Sequence, residues 1–228
     1  MSDTVARPHT REHGSLLAPG EKRALIWLAR QLPAWVTSDH LTGLALVAML
    51  GAGLAYWAAS RMPSALLLVV AGLAVNWFGD SLDGTLARVR NQQRPRYGFY
   101  VDHMLDLFGT CFLLGGLGLS GYMSPLVAMG LLAAYLMTSA EIYLATHACG
   151  VFRLSMWKIG PTELRILLAV GTVCLLFTPW VEVWGHPYRL FDVGGVIAIV
   201  GMTVAMLRST VRNTVALHRA EPLPRSTR

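Results

Sequence analysis

Four aspartates fall into two closely spaced pairs, Asp80 with Asp83 and Asp102 with Asp106. On a helix, residues three or four apart project from one face, so each pair presents two carboxylates side by side. Four acids set in apolar sequence would cost several kcal/mol apiece if buried without compensation, and divalent cations remove that cost. Oxygen-only ligands select a hard ion, magnesium or manganese, and no cysteine or paired histidine lies nearby to favour zinc. Two such ions about 3.5 to 4 Å apart form a clamp for in-line displacement at phosphorus, neutralising the attacking and the leaving oxygen. A diphosphate is the substrate that suits such a clamp. Gly84 leaves room for close approach of a ligand, Ala87 keeps the next turn small, and Arg88 offers a planar charged fork. All three are candidate contacts for a nucleotide.

The elements that must position these groups are read from the apolar runs. The chain is 54% hydrophobic and 14% charged, against about 25% charged in a soluble domain. Nearly uncharged windows run from Leu41 to Ser60, Pro63 to Phe78, Thr110 to Ala140 and Ile166 to Trp184, each of bilayer-crossing length with its flanks. The expected fold is an all-α integral membrane protein of six transmembrane helices. They span about 39 to 60, 63 to 87, 98 to 120, 124 to 147, 162 to 184 and 190 to 214. Breakers at Arg61-Met62-Pro63, Gly121 to Pro125, Gly160-Pro161 and Gly185-His186-Pro187 separate them. The acidic pairs then lie at the ends of spans two and three, flanking the loop from Arg88 to Arg96.

Ahead of the first span, Leu25, Leu28, Ala29 and Leu32 recur at helical spacing opposite Glu21, Lys22, Arg23, Arg30 and Gln31. With Trp27 this reads as an N-terminal interfacial amphipathic helix. The first 37 residues carry five basic side chains and no apolar stretch of signal-peptide length. Three regions result: a cytoplasmic segment over 1–37, a six-helix domain over 38–216 and a cytoplasmic tail over 217–228. With the N-terminus inside, 17 of the 19 Lys and Arg residues face the cytoplasm and two, Arg61 and Arg189, face the other side. That predicts both termini in the cytoplasm of a multi-pass protein, placed in the bacterial inner (cell) membrane. The formal charge of +6 is thereby topological and does not imply nucleic acid. Cys111, Cys149 and Cys174 match no metal or disulfide spacing and are expected as small packing residues.

The order Asp80, Asp83-Gly84, Ala87-Arg88, then Gly98, Asp102, Asp106 resembles the signature of the CDP-alcohol phosphotransferases, with eight defined positions matched. The loop from Arg88 to Gly98 is one residue longer than the family pattern, and the six-span architecture carries the resemblance over most of the chain. The resemblance implies a diphosphate held on two metal ions by Asp80, Asp83, Asp102 and Asp106, with cytidine near Gly84, Ala87 and Arg88. It implies CMP as leaving group and Asp106 as the base that deprotonates the acceptor hydroxyl. Gly98 is assigned to close helix packing. The expected partners are a CDP-linked lipid or alcohol and membrane lipids, not nucleic acid, with a homodimer as candidate assembly.

Two substrate classes fit. CDP-diacylglycerol could donate a phosphatidyl group to a small polar alcohol, which the short, basic, six-spanned chain favours. Alternatively a CDP-amino-alcohol, CDP-choline or CDP-ethanolamine, could donate its head group to a lipid alcohol; Asp102-His103 and Pro161-Thr162-Glu163 are similar to short stretches of the eukaryotic choline and ethanolamine phosphotransferases. Arg153, Lys158, Glu163 and Arg165 are candidate acceptor contacts, against a plainer role for Thr162 and Glu163 in opening span five. Glu141 within span four is a functional candidate without an evident partner. His103 points about 100° away from Asp102 on the helix and is not expected to ligate, and His147 has a weaker claim. Gly115, Gly116, Gly118, Gly194, Gly195 and Gly201 are expected at close helix contacts. A transporter also carries acids within its spans, but at the midplane rather than beside a cytoplasmic loop.

Overall fold

The computed structural model describes residues 10–12, 18–149, 151–153 and 161–221, with side chains described for 20–149 and 161–221. The helices are α1 (Ala18–Gln31), α2 (Ser38–Ala59), α3 (Ala65–Val89), α4 (Pro95–Leu119), α5 (Pro125–Cys149), α6 (Pro161–Leu175) and α7 (Leu190–Ala220). Two short strand pairs accompany them. β1 (Thr10–Glu12) runs parallel to β2 (Val151–Arg153), and β3 (Trp180–Val183) pairs antiparallel with β4 (His186–Arg189).

Four helices, α2, α3, α5 and α7, are long and apolar enough to cross a membrane, the make-up of a multi-pass membrane protein. α4 is 25 residues long, but its first half carries Arg96, Asp102, His103 and Asp106. α6 has 15 residues, about 22 Å at the rise of an α-helix, where a span needs about 20 residues. The segment expected to remain helical to 184 instead stops at Leu175 and turns into the β3–β4 hairpin. Pro179 supplies no N–H to continue the ladder, and the following Trp-Val-Glu-Val alternates as a strand does. The hairpin turns through Trp184 and Gly185, both at positive φ, as a two-residue hairpin loop requires.

α2 is the centre of the bundle because its residues are small. Ala45, Ala52, Gly53, Ala55 and Ala59 are buried along it, so neighbouring backbones come close on two sides. A Cβ on Gly79 would meet the carbonyl of Leu41 at 2.6 Å, and Asn76 Nδ2 donates to the Ala45 carbonyl at 3.1 Å, seating α3. On the other side, Gly116 of α4 faces the backbone of Gly53, and Gly53 faces the Phe112 carbonyl. Tyr56, fully buried, shares a 2.6 Å hydrogen bond with Thr172 and so ties α6 to the same helix. α7 packs on α5, where Gly195 meets Val127 and Met123, and Asp192 accepts the Ser124 N–H at 2.6 Å.

The expected close-packing role holds for Gly116, Gly118 and Gly195. At Gly98, Gly115, Gly194 and Gly201 an added Cβ meets nothing within 4 Å, so close packing is not what those positions serve. All three cysteines are free; Cys111 is half-buried, while Cys149 and Cys174 are exposed.

α1 uses its apolar stripe on protein. Leu25 and Ala29 are buried against Leu41, Leu82 and Leu86, with Leu28 and Leu32 alongside, while Trp27 remains 62% exposed. The connector from α1 to α2 is fixed by Arg90, whose guanidinium donates to the carbonyls of Leu32 and Pro33 at 2.9 Å and of Val36 at 2.5 Å. Thr37 then caps α2, accepting from His40 N at 3.3 Å while its own N–H donates to His40 Nδ1 at 3.2 Å.

Candidate metal and substrate site

The turn between α3 and α4 sets the site. α3 ends in a left-handed residue, Asn91 at φ 55°, a conformation that asparagine tolerates. The Gln92 N–H donates to the Ala87 carbonyl at 2.9 Å and the Asn91 N–H to that of Arg88 at 3.3 Å, closing the helix as a Schellman motif. Pro95 opens α4, its missing N–H costing nothing at that position. The chain thus doubles back, and the end of α3 lies beside the start of α4.

That reversal joins the acids. One carboxylate oxygen from each of Asp80, Asp102 and Asp106 lies within 4.8 Å of the other two. Arg165 of α6 donates to Asp80 Oδ2 at 2.5 Å, with both side chains under one-fifth exposed. Three like charges held this close repel one another strongly, and one arginine offsets part of that. Asp83 stands one turn further along α3. Its Oδ2 accepts from Thr42 at 2.7 Å, its Oδ1 from the Gly84 N–H, and its carbonyl from Ser38 at 2.7 Å.

The triad opens on a cavity of about 450 Å³ walled by α2, α3, α4, α5, α6 and α7. Thr42, Asn76, Thr110, Tyr135, Ser139 and Tyr143 supply its polar groups; much of the rest, including Leu46, Met49, Ile142, Leu164 and Met202, is apolar. His103 lines it too. Its Nδ1 lies 2.7 Å from the Phe99 carbonyl and its ring stacks on Phe99 at 4.3 Å, so it stands beside the acids and outside the three-ligand group.

Of the residues singled out from sequence, the cavity wall collects Asp80, Asp102, Asp106, His103 and Arg165. Gly84, Ala87 and Arg88 lie outside that wall, four, seven and eight residues after Asp80 and therefore on its face of α3, one to two turns nearer the helix end. Arg88 donates to Thr85 at 2.9 Å. Glu163 is in the first turn of α6 and away from the cavity wall. The side chain of Arg153 and the whole of Lys158 lie outside the described residues. Glu141 finds its partner in Asn213, at 3.0 Å on α7, and His147 is exposed.

Sequence reasoning missed Ser38 and Thr42, which hold Asp83, and the α5 face of Tyr135, Ser139 and Tyr143. The only local signal for the first two was their four-residue spacing at the start of α2. Nothing local marks the α5 residues.

A family model described as CDP-alcohol phosphatidyltransferase matches residues 35–207. Cholinephosphotransferase 1 of Danio rerio is 27% identical over 187 residues, taking in 75% of this chain and 48% of that protein. The chain thus spans about half the length of the curated relative it matches. The family match runs from just before α2 into α7 and includes all four aspartates, Arg165 and the whole cavity wall, while α1 lies ahead of it. With more than half of its length matched, the chain belongs to the CDP-alcohol phosphatidyltransferase family.

Proposed function

We propose that this chain is a phospholipid-biosynthetic transferase that moves a substituted phosphate from a CDP-linked donor to the hydroxyl of an alcohol, releasing CMP. The observation that carries this reading is the convergence of Asp80, Asp102 and Asp106 on one point of a cavity between the helices. Three carboxylate oxygens at that spacing fit a hard divalent cation. Asp80, Asp102 and Asp106, with Asp83 one turn away, would hold two magnesium or manganese ions. Bound there, such ions neutralise charge on the diphosphate and on the attacking oxygen.

The chain's own residues do the rest. Asp106 of α4, whose carboxylate converges with that of Asp80, accepts the proton of the acceptor hydroxyl as its oxygen bonds to phosphorus. The bond from that phosphorus to CMP breaks, and CMP leaves with the electron pair. Gly84, Ala87 and Arg88 form the cytidine contact on the same stripe of α3 as Asp80. Arg165 orients Asp80.

For the substrate, the similarity to a cholinephosphotransferase supports head-group transfer from a CDP-amino-alcohol to a lipid alcohol, and the largely apolar cavity wall suits an acyl-bearing acceptor. Phosphatidyl transfer from CDP-diacylglycerol to a small uncharged alcohol is the second reading, favoured by the hydroxyls of Tyr135, Ser139 and Tyr143 on the α5 wall. Both place the reaction at a membrane. There α4 and α6 complete six crossings, the 17-to-2 charge asymmetry sets both termini in the cytoplasm, and Trp27 anchors α1 at the interface. The test is CMP release by purified protein, comparing CDP-choline or CDP-ethanolamine plus diacylglycerol with CDP-diacylglycerol plus small alcohols. Release that is unaffected by a chelator would overturn the metal assignment, and no release from any CDP donor would overturn the function.

A further inference from the structure

A single carboxylate oxygen links three helices beside the triad. Glu21 of α1 accepts, on Oε1, hydrogen bonds from Trp77 Nε1 at 2.8 Å, from Thr162 Oγ1 at 2.9 Å and from Ser81 Oγ at 3.5 Å. Trp77 and Ser81 belong to the turn of α3 that carries Asp80. Thr162 belongs to the first turn of α6 and stands three residues before Arg165, on the same helix face. Glu21 therefore bridges the two backbones whose side chains form the Asp80–Arg165 pair.

We infer that Glu21 is a positioning residue, setting the angle at which Arg165 meets Asp80. Three observations carry this. α6 is short, and its far end is pinned to α2 through Thr172 and Tyr56, so the placement of its first turn depends on what holds that turn. Side chains of that turn reach α1 through Thr162 to Glu21 and α3 through Arg165 to Asp80. α1 is itself held on α3 by Leu25 and Ala29, so Glu21 has a rigid base. A carboxylate accepting several donors is a strong, charge-assisted anchor. The helix bearing Glu21 lies ahead of the stretch matched by the family model, 35–207. The inference rests on the proposed role of Asp80 and Arg165 in the active site.

The experiment is a double-mutant cycle with Glu21→Ala, Glu21→Gln, Arg165→Ala and Glu21→Ala/Arg165→Ala, read by CMP release and by thermal midpoint in detergent. Glu21→Ala lowers kcat about tenfold, the scale of one lost charge-assisted bond, with donor KM nearly unchanged. Glu21→Gln keeps an accepting oxygen and retains wild-type kcat within about twofold. In the Arg165→Ala background, Glu21→Ala adds less than about twofold, because its effect acts through that arginine. Wild-type kcat in Glu21→Ala, or an undiminished loss in the Arg165→Ala background, would overturn the inference. A distance measurement separates it from the reaction itself. Spin labels at Val75→Cys and Leu164→Cys, with the three native cysteines replaced by alanine, give a broader distribution in Glu21→Ala than in Glu21→Gln. Equal distributions would overturn the positioning role even if the protein released no CMP.

Discussion

Arg165 can serve a substrate or the metal cage, and the two roles give different kinetics. Its guanidinium donates to Asp80 Oδ2 at 2.5 Å, and the pair is 17% and 18% exposed. Arg165→Ala leaves Asp80 beside Asp102 and Asp106 without its cation. A hydrogen bond between charged groups is worth about 1.5 to 3 kcal/mol, and the low exposure places this one toward the upper part of that range. At 1.36 kcal/mol per decade, the loss is about 10- to 150-fold in kcat/KM. Since the partner is a ligand carboxylate, the loss falls on kcat and is the same for every acceptor. Arg165→Lys recovers part of it, because an ammonium restores the charge without the planar fork. Steady-state CMP release with saturating donor, run with a lipid alcohol, a small uncharged alcohol and a polyol phosphate, decides. A raised KM confined to the phosphorylated acceptor, with kcat intact, would refute the assignment and make Arg165 a phosphate-binding residue.

Asp102→Asn removes one of three convergent oxygens and abolishes CMP release at millimolar magnesium while the thermal midpoint stays or rises, since a like-charge repulsion is relieved; wild-type turnover would exclude Asp102 from the site. Thr42→Val removes the 2.7 Å bond to Asp83 at nearly constant volume and raises the magnesium concentration needed for half-maximal rate several-fold, so an unchanged magnesium titration would leave Asp83 without a metal role. Gly53→Ala sets a methyl group against the Phe112 carbonyl and costs about 1 to 3 kcal/mol, read as a lower thermal midpoint in detergent. Cysteines introduced at 90–96 are labelled from the cytoplasmic side and those at 186–189 from the opposite side; labelling of 90–96 from outside would reverse the proposed orientation.

The sequence by itself determined whatever depends on neighbours a few residues away. The spacings 80 to 83 and 102 to 106 predicted paired carboxylates, and the proposed spans predicted α2, α3, α5 and α7. Gly185 marked a turn, and Leu25, Leu28, Ala29 and Leu32 marked one apolar face of α1, expected on the bilayer surface and found packed on Leu41, Leu82 and Leu86. The helices and the turn follow because helical periodicity and turn chemistry are local, whereas Asp80 and Asp83 share a helix without pointing at one site. Local pattern also misled where composition resembled a span. The run after Leu175 is apolar enough for a membrane helix, yet Pro179 and strand-like alternation make it a hairpin, and Gly98 sits where no neighbour approaches.

What the tertiary structure alone decided are contacts between residues far apart in the chain. Which acids converge was one of them: Asp80 joins Asp102 and Asp106, while Asp83 is turned to Thr42, 41 residues away. Arg165, expected from sequence as an acceptor contact, is bonded to Asp80 across 85 residues, and Glu21 reaches Thr162 across 141. Nor could the sequence place Tyr135, Ser139 and Tyr143 of α5 opposite the acids. The physical reason is that small side chains on α2 let α3 and α4 close on both of its sides, and that packing sets which faces of α5 and α6 turn toward the carboxylates.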